Sequence, residues 1–192
     1  MKDFTIKELM VPISEYATVD QGATLFDAIS ALEKAQEVYE YSKYTHRAIL
    51  VLDKNQQVIG KLSQLDVLRA IEPRETRAED ITQLSQYGFS PKFIRSLQAQ
   101  RRVIQSVPLR ELCIKGAKLP VEEFMQSPTE GEYVDINAPL DIAVHQLVLG
   151  EHLSLLVTEE KKIVGILRLT DVFATVFHMM RETESMQTED RP

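Results

Sequence analysis

The chain has little of what builds a covalently or metal-locked fold. It has one cysteine, Cys113, in 192 residues. A single thiol excludes an intrachain disulfide and fits a reducing compartment, so a cytoplasmic protein is expected. Cys113 itself reads as a small buried residue rather than a nucleophile. Only seven glycines are present, and they form no loop that could cradle phosphates. The four histidines, His46, His145, His152 and His178, lack metal-ligand spacing, so neither a metal nor a cofactor is expected. The longest apolar runs, "AILVL" and "LSLLV", are too short to span a bilayer. The opening "MKDFTIKELM" lacks the apolar core of a secretory signal. No nucleophile–base–acid constellation appears, and no enzyme is expected.

Positive charge is also in deficit. The formal net charge of −7 argues against nucleic acid as a partner. The deficit is uneven. Between Pro91 and Lys118 seven basic residues (Lys92, Arg95, Arg101, Arg102, Arg110, Lys115, Lys118) stand against the single acid Glu111. The ordinary reading is a solvated face balancing an acidic body; the sharper one is a docking surface for an acidic or phosphate-bearing partner.

What the sequence does contain is a repeat. Residue 6 aligns with residue 121, and a constant offset of 115 carries "IKELM" onto "VEEFM" and "TVDQGATLFDAI" onto "YVDINAPLDIAV". Identities include Met10/Met125, Val19/Val134, Asp20/Asp135 and Leu25/Leu140. At "GKLSQLD" (60–66) and "GILRLTD" (165–171) the offset is 105, so the first copy has ten extra residues before its second strand pair. Each copy predicts a short strand (17–19, 133–135) and then a helix. Apolar residues at Leu25, Ala28, Ile29 and Leu32, and at Leu140, Ala143, Val144 and Leu147, give that helix one buried face. Thr24 with Asp27 forms a capping-box signature, and Pro139 suits a first helical turn. Two strands follow ("RAILVLD" and "VIGKL"; "LSLLVTE" and "IVGIL"), and a last helix starts near Gln64 and near Leu169.

The expected fold class is therefore α+β: two strand–helix–strand–strand–helix repeats, related by a pseudo-two-fold axis and packed sheet to sheet. One such unit has a marginal core alone. The expected boundaries are 1–71 and 121–180 for the repeats, a helical connecting segment over 72–120, and a frayed polar tail over 181–192. Within the connector, helices are predicted over 78–88, 90–106 and 108–116.

Two such repeats, each with G-h-h-[ST]-x-x-D after its last strand, resemble the tandem CBS (cystathionine-β-synthase) domain pair, or Bateman module. The resemblance covers nearly all of residues 6–71 and 121–178. It implies ligand binding rather than catalysis: AMP, ADP, ATP or S-adenosylmethionine held in clefts between the repeats. It also implies that the motif aspartate holds ribose hydroxyls and that the Ser or Thr three residues earlier lies beside it. A threonine at the first strand lines the pocket, and basic residues before the buried strand hold phosphate.

The first copy matches this pattern with Tyr16–Thr18, His46, Arg47, Ser63 and Asp66. The chemistry is coherent without the family. A carboxylate accepts both hydroxyl protons of a diol, a guanidinium fork fits phosphate oxygens, and an imidazole gives one more bond and adds charge when protonated. Ser63 and Asp66 also read as a helix cap. The second copy departs: Tyr133 replaces the strand threonine, Glu151-His152 the basic pair, and Arg168 the motif serine, while Thr170 and Asp171 remain. Arg168 is expected to serve a phosphate or to pair with Glu151. Among "EVYEYSKYTHR", one of Tyr39, Tyr41 and Tyr44 is read as a lid that stacks on a base. The expected function is a regulatory module that senses an adenosine nucleotide at one competent cleft. It is expected to work as a homodimer and to signal to an effector protein. The alternative is a ligand-free scaffold.

Overall fold

The computed structural model describes residues 4–38, 45–71 and 108–189. The tyrosine lid, the helices expected over 78–88 and 90–106, and four of the seven basic residues lie outside the described residues. The architecture is the α+β one expected. One sheet has the order β2 (Thr18–Asp20), β3 (Ala48–Leu52), β4 (Val58–Ser63). The other has the order β1 (Val11–Pro12), β7 (Lys162–Arg168), β6 (Ser154–Glu159), β5 (Tyr133–Asp135). The helices among the described residues are α1 (Ile6–Leu9), α2 (Leu25–Val38), α3 (Gln64–Ile71), α4 (Leu109–Gly116), α5 (Leu140–Leu149) and α6 (Leu169–Glu189).

In both repeats the first strand pairs parallel to the second, across a helix, and the second pairs antiparallel to the third. Every residue of β3 is buried, as a strand covered on both faces requires. One face of that sheet packs on Leu25, Ala28 and Leu32 of α2. The other meets the second sheet, where Leu50 and Leu156 share a cluster with Val11, Tyr16 and Ile166. The Thr24 cap forms reciprocally: Thr24 N donates to Asp27 Oδ2 at 2.9 Å, and Asp27 N donates to Thr24 Oγ1 at 3.2 Å. Pro139 is the N-cap of α5, one residue before its first turn.

The repeats exchange their leading segments, which sequence reading did not anticipate. Ile6 is fully buried in the core of the second repeat, against Leu155 and Leu167. Its counterpart Val121 is fully buried in the core of the first, against Ile49 and Leu62. Burying a side chain of this size is worth roughly 1.5–3 kcal/mol. Next along the chain, Val11 and Pro12 pair with Ile166 and Gly165. Gln126, the counterpart of Val11, forms a bridge with Lys61, the counterpart of Ile166.

Two identities in the repeat gain a cause here. A Cβ on Gly60 would strike the side chain of Met125, and one on Gly165 would strike Val11 O and Met10 Sδ. Each glycine opens the sheet to the methionine of the other repeat.

Three expectations need correction. The first concerns register. Thr18 pairs with Leu50 and Tyr133 with Leu156. Gln64 N donates to Arg47 O, as Leu169 N donates to Leu153 O. His46 therefore corresponds to His152 and Arg47 to Leu153, not the pair to Glu151-His152. One residue of the extra length sits in the β3–β4 turn. Glu151 instead supplies the left-handed step into β6, with φ 51°. Second, the expected frayed tail continues α6 to Glu189, because "RETESMQTE" is built mostly of good helix formers. Third, Cys113 is exposed rather than buried.

Candidate functional site

Both motifs meet at a cleft of about 420 Å³ between the repeats. Asp66 lies on its wall. That residue lies in the first turn of α3 and is 5% exposed. Ser63 N and Ser63 Oγ donate to Asp66 Oδ2 at 2.9 and 2.5 Å, and Asp66 N donates back to Ser63 Oγ at 3.2 Å. The capping box is thus complete. The other oxygen, Oδ1, accepts from Gln126 Nε2 at 2.8 Å and from Arg69 Nη1 at 3.3 Å. Burial pushes the carboxyl pKa up, but the donors on Ser63 and Gln126 and the charge of Arg69 outweigh it, so the net shift is downward and Asp66 is ionised near neutral pH.

A second, part-buried ion pair lies on the same wall. Lys61 Nζ bonds to Glu132 Oε2 at 2.6 Å, from one repeat to the other. Glu132 Oε1 accepts from Thr129 N at 3.2 Å, which closes the turn 129–132 on itself. Burial again works against the charge on Glu132. The bond to Lys61, its charge and Thr129 outweigh burial and lower the pKa.

The cleft brings together Tyr16, Arg47, Ser63, Asp66, Arg168 and Thr170 of the expected site residues. Thr18, His46 and Asp171 are not on its wall. Thr18 is in β2, paired with Leu50. His46 is fully buried, edge-on to the Tyr16 ring at 4.5 Å between centroids, with Nδ1 3.4 Å from Arg168 Nη1. Burial, helped by the Arg168 charge, pulls its pKa down to about 4. The imidazole is therefore neutral at pH 7. Burial also raises the Tyr16 phenol to about 12, against the opposing pull of Arg168.

Arg168 pairs with Asp171 rather than with Glu151. Its Nε and Nη2 grip Asp171 Oδ2 and Oδ1 at 2.5 and 2.7 Å. The guanidinium replaces the serine hydroxyl of the first copy and engages both oxygens of the second aspartate. Sequence reading missed Lys61, Arg69, Gln126, Thr129 and Glu132, all on the cleft wall. Their signal was available in the alignment. Gln126, Lys61 and Glu132 face Val11, Ile166 and Ala17 across the repeat, polar against apolar, and those three counterparts are buried core.

A larger cavity of about 540 Å³ lies apart from these residues, against Phe4, Ile136, Leu140 and Met179, with Lys7 its one charged lining residue among those described. Among the described residues no helix is long and apolar enough to cross a membrane.

The sequence matches the CBS domain family model twice, over residues 6–73 and 121–178. The chain belongs to the CBS domain family. As a CBS pair it also has likenesses among solved structures. It is similar to a putative acetoin utilization protein (AcuB) from Vibrio cholerae, at 17% identity and TM-score 0.57 over 100% of both chains. It is similar to CBSX2 from Arabidopsis thaliana, at 17% identity and TM-score 0.58, over 94% of this chain and 99% of that one. CBSX2 in complex with AMP matches at 16% identity and TM-score 0.55, over 92% of this chain and 98% of that one. These likenesses show the CBS-pair fold. No curated protein matches the chain in sequence.

Proposed function

We propose that this CBS pair is a regulatory module that takes an adenosine nucleotide in the cleft at Asp66 and passes its ligand state to an effector protein. One observation carries the reading: a buried, ionised carboxylate faces a cleft of about 420 Å³ whose rim bears Arg47 and Arg69. That volume falls in the range of small-molecule sites. The aspartate would accept ribose hydroxyls. Arg47 is exposed on the rim and would take phosphate, with Ser63 and Thr170 as hydroxyl partners. Tyr16, His46 and Arg168 would shape the floor, and Thr18 would act from behind the wall. Asp171, already gripped by Arg168, would hold no second ligand. The AMP complex of CBSX2 supports the ligand class. A homodimer in the cytoplasm is part of the same reading.

Calorimetric titration with AMP, ADP, ATP and S-adenosylmethionine tests it. Binding of at least one below millimolar, lost in Asp66→Ala, is the expected result. A second reading, the ligand-free scaffold, is favoured by one observation: Asp66 and Glu132 already have partners within the chain. Silence with all four ligands supports that reading.

A further inference from the structure

The leading segments of the two repeats are held down by different chemistry. Residues 11–16 are clamped on the second sheet by buried apolar atoms, those of Val11 and Tyr16 clustered with Ile166. Residues 126–132 are held on the first sheet by polar tethers. The backbones of Lys61 and Gln126 exchange two hydrogen bonds, at 3.0 and 2.9 Å. At one end of the segment Gln126 Nε2 reaches Asp66 Oδ1 at 2.8 Å. At the other, Glu132 Oε2 meets Lys61 Nζ at 2.6 Å.

Both side-chain tethers use groups that a nucleotide would need. A ribose hydroxyl donating to Asp66 Oδ1 competes with the Gln126 amide. A phosphate oxygen near Lys61 competes with the Glu132 carboxylate. We infer that segment 126–132 is a polar clasp, which an anionic ligand bearing vicinal hydroxyls displaces when it enters the cleft. This inference rests on the nucleotide reading of the same cleft. The clasp belongs to the second repeat but lies on the first. It runs directly into β5, where Tyr133 packs against the cluster shared by the two sheets. A ligand that prefers the unclasped state shifts the arrangement of the repeats, because it binds the two states with different affinity. The clasp thereby also sets affinity, since the ligand must first break it.

Two measurements on the full chain test this. The first is AMP affinity of Gln126→Val, which places at that position the residue found in the other repeat. Freed of its internal donor, Asp66 binds AMP about threefold to tenfold more tightly. Unchanged or weaker binding by this variant, with wild type binding AMP, overturns the clasp. The second is amide exchange. With AMP bound, the Lys61 and Gln126 amides exchange faster, while the amides of the β1–β7 pairing do not. No acceleration in protein that calorimetry shows to be loaded also overturns it. If AMP binds neither wild type nor Gln126→Val, the nucleotide reading fails and the ligand-gated role fails with it. Glu132→Gln then still reports on the tether alone, through faster exchange of the same amides without ligand; no acceleration there overturns the tether too.

Discussion

The two halves of the molecule solve one problem in two ways. Each has an aspartate in the first turn of its last helix and must satisfy it in a crowded place. The first half uses a serine hydroxyl, an amide borrowed from the other repeat and a half-exposed arginine. The second uses one buried guanidinium, side-on. The first solution leaves the carboxylate on the cleft wall. The second holds both oxygens on one guanidinium, with the carboxylate off that wall. Duplicated folds can thus keep their backbone while the two copies of one residue take different partners.

The sharpest way to break the comparison is to remove each aspartate in turn. Asp171→Ala removes the carboxylate that Nε and Nη2 of the buried Arg168 grip, and removing one partner of a buried pair costs about 3–5 kcal/mol. Thermal or urea unfolding should show that loss, with AMP affinity in the surviving folded protein little changed. Asp66→Ala should do the reverse: a loss near that of a helix cap, about 0.5–2 kcal/mol, and loss of nucleotide binding. Equal stability costs would mean that the two aspartates play one role.

Next in size are the glycines. Gly165→Ala drives a methyl group into the backbone carbonyl of Val11, whereas Gly60→Ala meets the flexible side chain of Met125. Overpacking costs typically about 1–3 kcal/mol, and Gly165→Ala should lie at the upper end and Gly60→Ala at the lower. A denaturant series on both variants orders them.

The smallest effect is in pH. The folded pKa of His46, about 4, lies below its usual value of 6.5. The unfolded chain therefore binds more protons than the folded one between these values. Stability is full above the unfolded pKa and falls as pH drops from about 6.5 toward 4. Asp66 and Glu132, with pKa values lowered on folding, add a loss at still lower pH as they protonate. Replacing His46 by Gln should flatten the melting-temperature slope in the upper part of that window. An unchanged slope would mean that another group carries it.

Much of this was legible in the sequence. The strand and helix pattern, the Thr24 and Ser63 caps and the inequality of the two motifs all follow from local chemistry. The register at His152 did not. "AILVL" and "LSLLV" do not alternate apolar with polar residues, and a strand buried on both faces has no alternation to fix a one-residue choice. The crossed leading segments were equally hidden, because a two-residue strand leaves no periodicity. Met10 with Gly165 and Met125 with Gly60 carried that information only as pairs distant along the chain.

The crossing also bears on how the chain comes to be made. Ile6 leaves the ribosome well before the residues that seat it, Leu155 and Leu167. The first repeat, in turn, waits for Val121 and Gln126 to complete its core and sheet edge. Closing so long a loop adds little entropy beyond a loop half its length, about 0.6 kcal/mol, but it delays completion. The first repeat is not a finished object when its own residues have emerged; the leading segment of the second completes it. The second draws in turn on a segment made well before it, so neither repeat is expected to fold as an independent domain.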